Sequence, residues 1–152
     1  TLPVHHLQQF RSFHPRALSN KAPPGKVSKI AVGTEGNVVV HMQDHGLHSY
    51  TINAVRLSTI EAEEIINDMA ICSMDEFLIT GGDRCQVLIR TLVDLKLCSM
   101  LDLSRHGPIR CLTFTPSDLN PISQFLFIGS DDGMITVVDV DPLHTQNDNA
   151  AF

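Results

Sequence analysis

The apolar positions of this chain come in short runs. From Val27 onward, β-branched and aliphatic stretches alternate with clusters of Gly, Asp, Asn and Ser, and apolar residues almost never recur at helical spacing. The segment with most helical texture, TIEAEEIINDMAI at 59 to 71, groups Ile65, Ile66, Met69, Ala70 and Ile71 and reads better as the start of a strand. Before Val27, HPRALSNKAPPGK concentrates Pro, Gly, Ser and Asn among bases, so 1 to 26 are expected to be a loop, a linker or the end of a preceding unit.

The runs repeat. An apolar strand, a turn, a second strand, a tight Asp/Gly turn and a third strand recur in three segments, near 27 to 60, 63 to 101 and 107 to 141. The first two add a fourth run, Val55 to Ile60 and Lys96 to Leu101, which the third lacks before the polar tail of 142 to 152. Set in register, Gly46, Cys85 and Gly133 coincide, as do Asp44, Asp83 and Asp131, with SDLNPIS at 117 to 123 as an inserted loop. A four-stranded antiparallel unit recurring about every 40 residues is the signature of a β-propeller blade. The expected fold is therefore all-β: about three blades of an incomplete propeller over 27 to 141. The successive apolar residues of FLI, VLI, FLFI and ITVV suit strands covered on both faces, with Leu78, Phe114, Phe127 and Val137 packing between blades. Three blades leave sheet edges open, so the isolated chain is expected to be marginal or prone to aggregate.

Charge narrows the partners. Eleven Lys and Arg against seventeen Asp and Glu do not favour nucleic acid or an anionic membrane as the main partner. Residues 1 to 34 carry five bases and no acid, which reads as a solvated basic segment. No secretion signal and no long apolar stretch appears, so a cytoplasmic chain is expected. The chain opens on Thr1 and reads as a piece of something longer. Cys72, Cys85, Cys98 and Cys111 lack the close pairing that metal sites use and are expected to be buried, reduced thiols.

FLFIGSDDGMITVVDVD at 125 to 141 resembles the WD-repeat consensus in the order of its parts, although Val138 stands where the hallmark Trp precedes Asp139. The WD resemblance implies a His to Asp hydrogen bond at the turn between second and third strands. His106 and Asp132 alone are placed to make it, with Arg84 and His45 at the equivalent turn positions, so the repeats are degenerate. More broadly, IAVGTEGNVVVH, YTINAVRLSTIE, LITGGD with DLKL, and IRCLTF with IGSDDGMITVVDVD resemble the carboxyl-terminal WD repeats of the neurobeachin group of BEACH-domain proteins. That resemblance implies a piece of a large cytosolic, membrane-associated scaffold in vesicle trafficking and protein localisation, some of whose members anchor kinase A. Its partners would be other proteins and the missing blades and BEACH module of a longer chain, with membrane contact only indirect.

No catalytic constellation appears. GTEGN and GSDDG are turns that open no helix, and there is neither a G-x-S-x-G nor an H-E-x-x-H. Asp131, Asp132, Asp139 and Asp141 do not match a calcium loop, and Asp44, Asp83, Asp131 and Asp132 are expected to shape turns. His41, His45 and His48 flank one hairpin and are expected to face solvent or lie in turns. The sequence thus points to no enzyme and no cofactor. Arg84, Arg90, Arg105 and Arg110 remain as candidate partner contacts, and recognition of ubiquitin or a phospho-ligand by a generic WD adaptor stays open as the alternative.

Overall fold

The computed structural model describes Phe13, residues 25 to 116 and residues 124 to 140. Apart from Phe13, Gly25 and Lys26, the predicted linker 1 to 26 lies outside the described residues, as do the insertion 117 to 123, Asp141 and the tail.

Among the described residues, eleven strands and no helix follow one another: β1 (Val27–Val32), β2 (Val38–Met42), β3 (Gly46–Tyr50), β4 (Arg56–Glu61), β5 (Ile66–Ile71), β6 (Phe77–Gly82), β7 (Gln86–Thr91), β8 (Leu97–Asp102), β9 (Ile109–Phe114), β10 (Phe125–Ser130) and β11 (Ile135–Asp139). They form three antiparallel meanders, β1 to β4, β5 to β8 and β9 to β11. The segment 59 to 71 is strand, linker and strand, as its pattern suggested. The chain is thus all-β, three sheets of three or four strands arranged like part of a propeller.

The sheets stack face on face along two seams. Between the first and second, Val39, Leu47, Leu78, Met69, Leu92 and Leu95 interdigitate. Between the second and third, Ile79, Val87 and Ile89 meet Ile109, Leu112, Leu126 and Ile128. Tyr50, Val40 and Met42 line the other face of the first sheet, and the Phe13 ring lies tilted against that of Tyr50, their centroids 5.1 Å apart. Close approach at the second seam requires Gly81, whose missing Cβ would lie 2.5 Å from Ile109 Cγ2.

The pairs Val40↔His48, Thr80↔Leu88 and Ile128↔Thr136 set the three units in true register. In that register His45, Cys85 and Gly133 share one turn position, with φ of 68°, 61° and 83°. The expected coincidence of Gly46 with Gly133 and of Asp44 with Asp131 is therefore off by one in the first unit. There the left-handed slot is filled by His45, not by its glycine neighbour. Asp44, Arg84 and Asp132 are the equivalent residues, so Asp44 and not His45 stands at the position of Asp132. Asp83 pairs with Asp131 as expected.

Burial corrects four further expectations. Leu78 is buried and Phe114 half-buried at the seams, but Phe127 and Val137 are exposed, because they point away from the second sheet and no sheet covers them. For the same reason β11 alternates exposed and half-buried positions and is not covered on both faces. Cys72 is buried, whereas Cys85 is half-buried and Cys98 and Cys111 are exposed, on the outer strand β8 and the outward side of β9. His41 and His48 are buried on β2 and β3, whose two faces are both covered.

Candidate interaction surfaces

Strand direction gives the stack two ends. The upper end carries the turns 43 to 45, 83 to 85 and 131 to 133 and the sheet-to-sheet linkers 62 to 65 and 103 to 108. The lower end carries the turns 33 to 37 and 72 to 76 and the corners 51 to 55 and 92 to 96.

At the upper end each inner turn is tied to a linker by main-chain bonds, Ala62 N–H to His45 O at 2.7 Å, Leu103 N–H to Cys85 O at 2.9 Å and Asp131 N–H to Pro108 O at 2.9 Å. The His106 and Asp132 pair expected from the WD resemblance is present, with Nδ1 and Oδ2 3.0 Å apart. Asp132 also accepts the Met134 N–H at 3.0 Å, and that bond first, then His106, holds its carboxyl below the usual range. Asp44 closes the same turn in the first unit by accepting the Gly46 N–H at 3.1 Å. In the second unit the polarity is reversed. Arg84 offers its backbone N–H, and the buried Glu64 of the preceding linker accepts it at 2.7 Å. Burial raises the Glu64 pKa, and its second oxygen has no hydrogen-bond partner among the described residues. Nothing in the sequence marked Glu64, because an acid before β5 in place of a His before β9 breaks the repeat pattern it serves.

Arg110 of the third sheet joins its own turn residue Asp131 to Asp83 across the second seam. Arg110 donates from Nε to Asp131 Oδ1 at 2.8 Å and lies 3.9 Å from Asp83 Oδ1, while the Asn67 amide bridges Asp83, at 2.8 Å, and the Ile109 carbonyl, at 2.9 Å. The hydrogen bond and charge of Arg110 hold Asp131 low, and those of Asp131 hold Arg110 high. Of the four arginines singled out, Arg84 and Arg105 are exposed. Arg110 is occupied by this pair of carboxylates. Arg90 is buried, donates to Leu95 O at 3.3 Å and approaches Glu63 at 3.8 Å, so it offers no surface to a partner. Asp139 sits at the exposed end of β11, beside a cleft of about 170 Å³ between β8 and β11 lined mainly by aliphatic side chains.

At the lower end the first seam is locked by a residue the sequence reading missed. Asp75, buried in the turn before β6 with φ of 52°, accepts the backbone N–H groups of Thr34 at 2.7 Å and Glu35 at 2.9 Å, and the Thr34 hydroxyl at 3.0 Å. Gly33 makes this possible, since a Cβ there would stand 2.1 Å from Asp75 Oδ2. On the second seam Asp68 takes the same kind of role, accepting the Leu112 N–H at 2.7 Å. A carboxylate in SMDE between two apolar strands reads as a turn residue, and only its neighbour in space reveals the second task.

The third sheet ends in an open face. Val87 and Ile89 of β7 are 1% and 7% exposed, whereas Ile135 and Val137, which occupy the same positions of β11, are 70% and 52% exposed. Among the described residues β11 pairs only with β10. Among the described residues, the face that receives the third sheet in the second unit therefore has no occupant in the third.

Repeated antiparallel sheets stacked by aliphatic faces and joined by carboxylate to main-chain bonds define a propeller-like structural repeat. No family model matches the chain. It is similar to BEACH domain-containing protein B of Arabidopsis thaliana, 30% identical over 129 residues, which is 83% of this chain and 5% of that protein. That match links the chain to the BEACH-domain proteins, and the chain spans only 5% of the length of this relative. Among solved structures the fold is similar to the computationally designed Ika4 protein, with a TM-score of 0.59, 15% identity and coverage of 78% of this chain and 68% of that one. The designed Ika8 protein gives 0.59, 15%, 77% and 34% in the same order. These two likenesses concern the fold alone.

Proposed function

We propose that this chain is a non-catalytic protein-interaction scaffold, a WD-type propeller segment of a BEACH-domain protein of the neurobeachin type. The full protein would act in vesicle trafficking and protein localisation in the cytoplasm, at the periphery of intracellular membranes, with protein kinase binding among its contacts. The observation that carries the reading is the similarity to a BEACH-domain protein over 83% of the chain, on a fold made of repeated sheets. The physical side supports it. The strongest polar groups are spent on turns and seams: His106 on Asp132, Arg110 on Asp83 and Asp131, and Asp75 on two amides. The open face of Phe127, Ile135 and Val137 is what a unit in the middle of a longer array leaves when its neighbour belongs to another part of the protein.

The generic adaptor reading needs a rim of free arginines, and of the four singled out for it only Arg84 and Arg105 are left exposed and unengaged among the described residues. Two experiments separate these readings. Deleting 27 to 140 from the longer protein in cells should remove a subset of co-purifying proteins while membrane fractionation persists through the remaining modules. An unchanged set of co-purifying proteins would sink the scaffold reading. Arg84→Ala with Arg105→Ala, tested against phosphopeptides and ubiquitin, should change nothing, and a binding loss there would favour the adaptor.

A further inference from the structure

A missing neighbour accounts for the exposure of Phe127, Ile135 and Val137. It does not account for several other exposed apolar side chains, four of which lie together at the lower end. Ile52 and Val55 in the corner after β3, Met74 in the turn after β5 and Val93 in the corner after β7 are 62%, 59%, 61% and 61% exposed. All four sit at tips of lower-end connections, which a further sheet stacked on either flat face would leave uncovered. Turn tips are ordinarily polar, because Gly, Asn, Asp and Ser supply the dihedrals and local hydrogen bonds that turns need. Large aliphatic side chains there contribute nothing to the turn itself.

The connections that carry them touch in a closed cycle. Gly36, in the turn after β1, packs on Ile52, where an added Cβ would lie 3.3 Å from Ile52 Cβ. The same turn is bound to the Met74 turn by Asp75 and by the Thr34 hydroxyl, which donates to Ser73 O at 3.0 Å. The Met74 turn reaches the Val93 corner through Leu92 N–H to Glu76 O at 2.9 Å. That corner returns to the first sheet through Ser49 to Leu92 O at 3.0 Å and Ser58 to Asp94 O at 3.1 Å. The four apolar tips are thus mounted on one rigid ring spanning two sheets. Two bases flank it: Arg56 directly after Val55, and Lys96 at the end of the Val93 corner. Neither forms an ion pair among the described residues, whereas the nearby carboxylates are engaged, Asp75 by Thr34 and Glu35 and Asp94 by Thr91 and the Lys96 N–H.

We propose that this lower rim is a protein-docking surface, taking a segment that presents large apolar side chains flanked by carboxylates, with Ile52, Val55, Met74 and Val93 as apolar contacts and Arg56 and Lys96 as its ionic flank. It rests on the scaffold reading and gives that reading a place and a partner chemistry. Apolar tips beside bases could also meet a membrane, but a flat lipid surface would lie on the whole end at once, Glu35, Glu76 and Asp94 included, whereas a peptide segment need touch only the apolar tips and the two bases beside them.

The test pans a displayed random-peptide library on the whole chain and titrates the enriched peptides. Enrichment of peptides combining Leu, Ile, Phe or Met with Asp or Glu is expected. Ile52→Ser with Val93→Ser should weaken them about tenfold or more without moving the unfolding midpoint, since these side chains support no core. Arg56→Gln with Lys96→Gln should weaken them less and flatten their salt dependence. Absence of enrichment, or peptides insensitive to all four substitutions, overturns the proposal. So does cosedimentation with phosphatidylserine vesicles that Ile52→Ser and Val93→Ser abolish. Peptides insensitive here but lost on Arg84→Ala and Arg105→Ala reject this surface and leave the scaffold reading standing, whereas the absence of any protein or peptide partner at either end rejects both.

Discussion

Asp75 and Gly33 offer the sharpest check on how the first seam is held. Asp75→Ala removes the acceptor for two backbone N–H groups and a hydroxyl, all on the neighbouring sheet. A hydrogen bond to an ionised group contributes about 1.5 to 3 kcal/mol, but Thr34 and Glu35 are exposed and regain water, which sets the loss near 2 kcal/mol for the pair. Asp75 also has a left-handed backbone, which Ala tolerates less well than Asp, adding about 1 kcal/mol. The expected total is about 3 kcal/mol. Asp75→Asn keeps one acceptor oxygen and the backbone tolerance, and should cost about 1 kcal/mol.

Gly33→Ala reaches the same bonds from the other side. A Cβ 2.1 Å from Asp75 Oδ2 forces the carboxylate off both amides, so this change should cost about 2 kcal/mol with Asp75 present. With Asp75→Ala in place the obstruction is gone and Gly33→Ala should cost close to nothing, for a coupling energy of about 2 kcal/mol. The chain has no Trp and one Tyr, so urea unfolding is best followed by far-ultraviolet circular dichroism. Additivity of the two substitutions within about 0.5 kcal/mol would refute the reasoning, because it would mean that Gly33 and Asp75 do not act on one contact.

The second seam should respond to cavity formation: Ile109→Ala empties a fully buried site among Ile79, Val87 and Leu112 and is expected to cost about 3 kcal/mol in the same urea assay. Burial lowers the pKa of both His41 and His48 from 6.5, so their neutral forms stabilise the fold fully above pH 6.5, and that stability is lost as pH falls below it. Asp44 works against the shift and His45 and Arg56 with it, and the raised Glu64 pKa has the opposite slope from 4.5 upward, so the decline in unfolding midpoint between pH 7.5 and 5.5 should be measured in a Glu64→Gln background and should flatten when His41 and His48 are replaced by Gln. In the native chain a thiol reagent followed by peptide mass spectrometry should label Cys98 and Cys111 first and Cys72 only on unfolding, and equal rates at Cys72 and Cys98 would contradict the burial described.

Much of the fold was legible because a propeller-like unit announces itself by period. Short apolar runs, an Asp/Gly turn after the second run and a fourth run present twice and missing once are local features, and local features place strands. What failed was whatever depended on a neighbour in space. Gly46 and Gly133 look equivalent in a string, yet the turn places its left-handed residue one position earlier, at His45, since hydrogen-bond register and not residue identity fixes that slot. Cys98 and Cys111 sit in apolar runs and are exposed, while His41 and His48 flank a polar turn and are buried. In each case the deciding fact is which face of which sheet has a partner.

The third sheet shows why that fact cannot be carried by the sequence of one unit. VLI in β7 and ITVV in β11 have the same apolar content, yet β7 is enclosed and β11 lies open on its outward face and free edge. A sequence shaped only for this three-sheet stack would show polar residues at Phe127, Ile135 and Val137, since an exposed aliphatic face is a liability for a sheet with an open edge. The chain retains there the side chains that bury a seam two positions earlier in the stack, at Val39 and Leu47. Those residues mark the face on which a further sheet would pack. The lower-rim residues Ile52, Val55, Met74 and Val93 differ in kind, for stacking another sheet would cover the first group and leave the second as it is. Thermal unfolding of a longer chain that supplies the next sheet separates them: Val137→Asp should then cost as much as a buried apolar to charged change, and Val93→Asp should remain within about 0.5 kcal/mol of neutral.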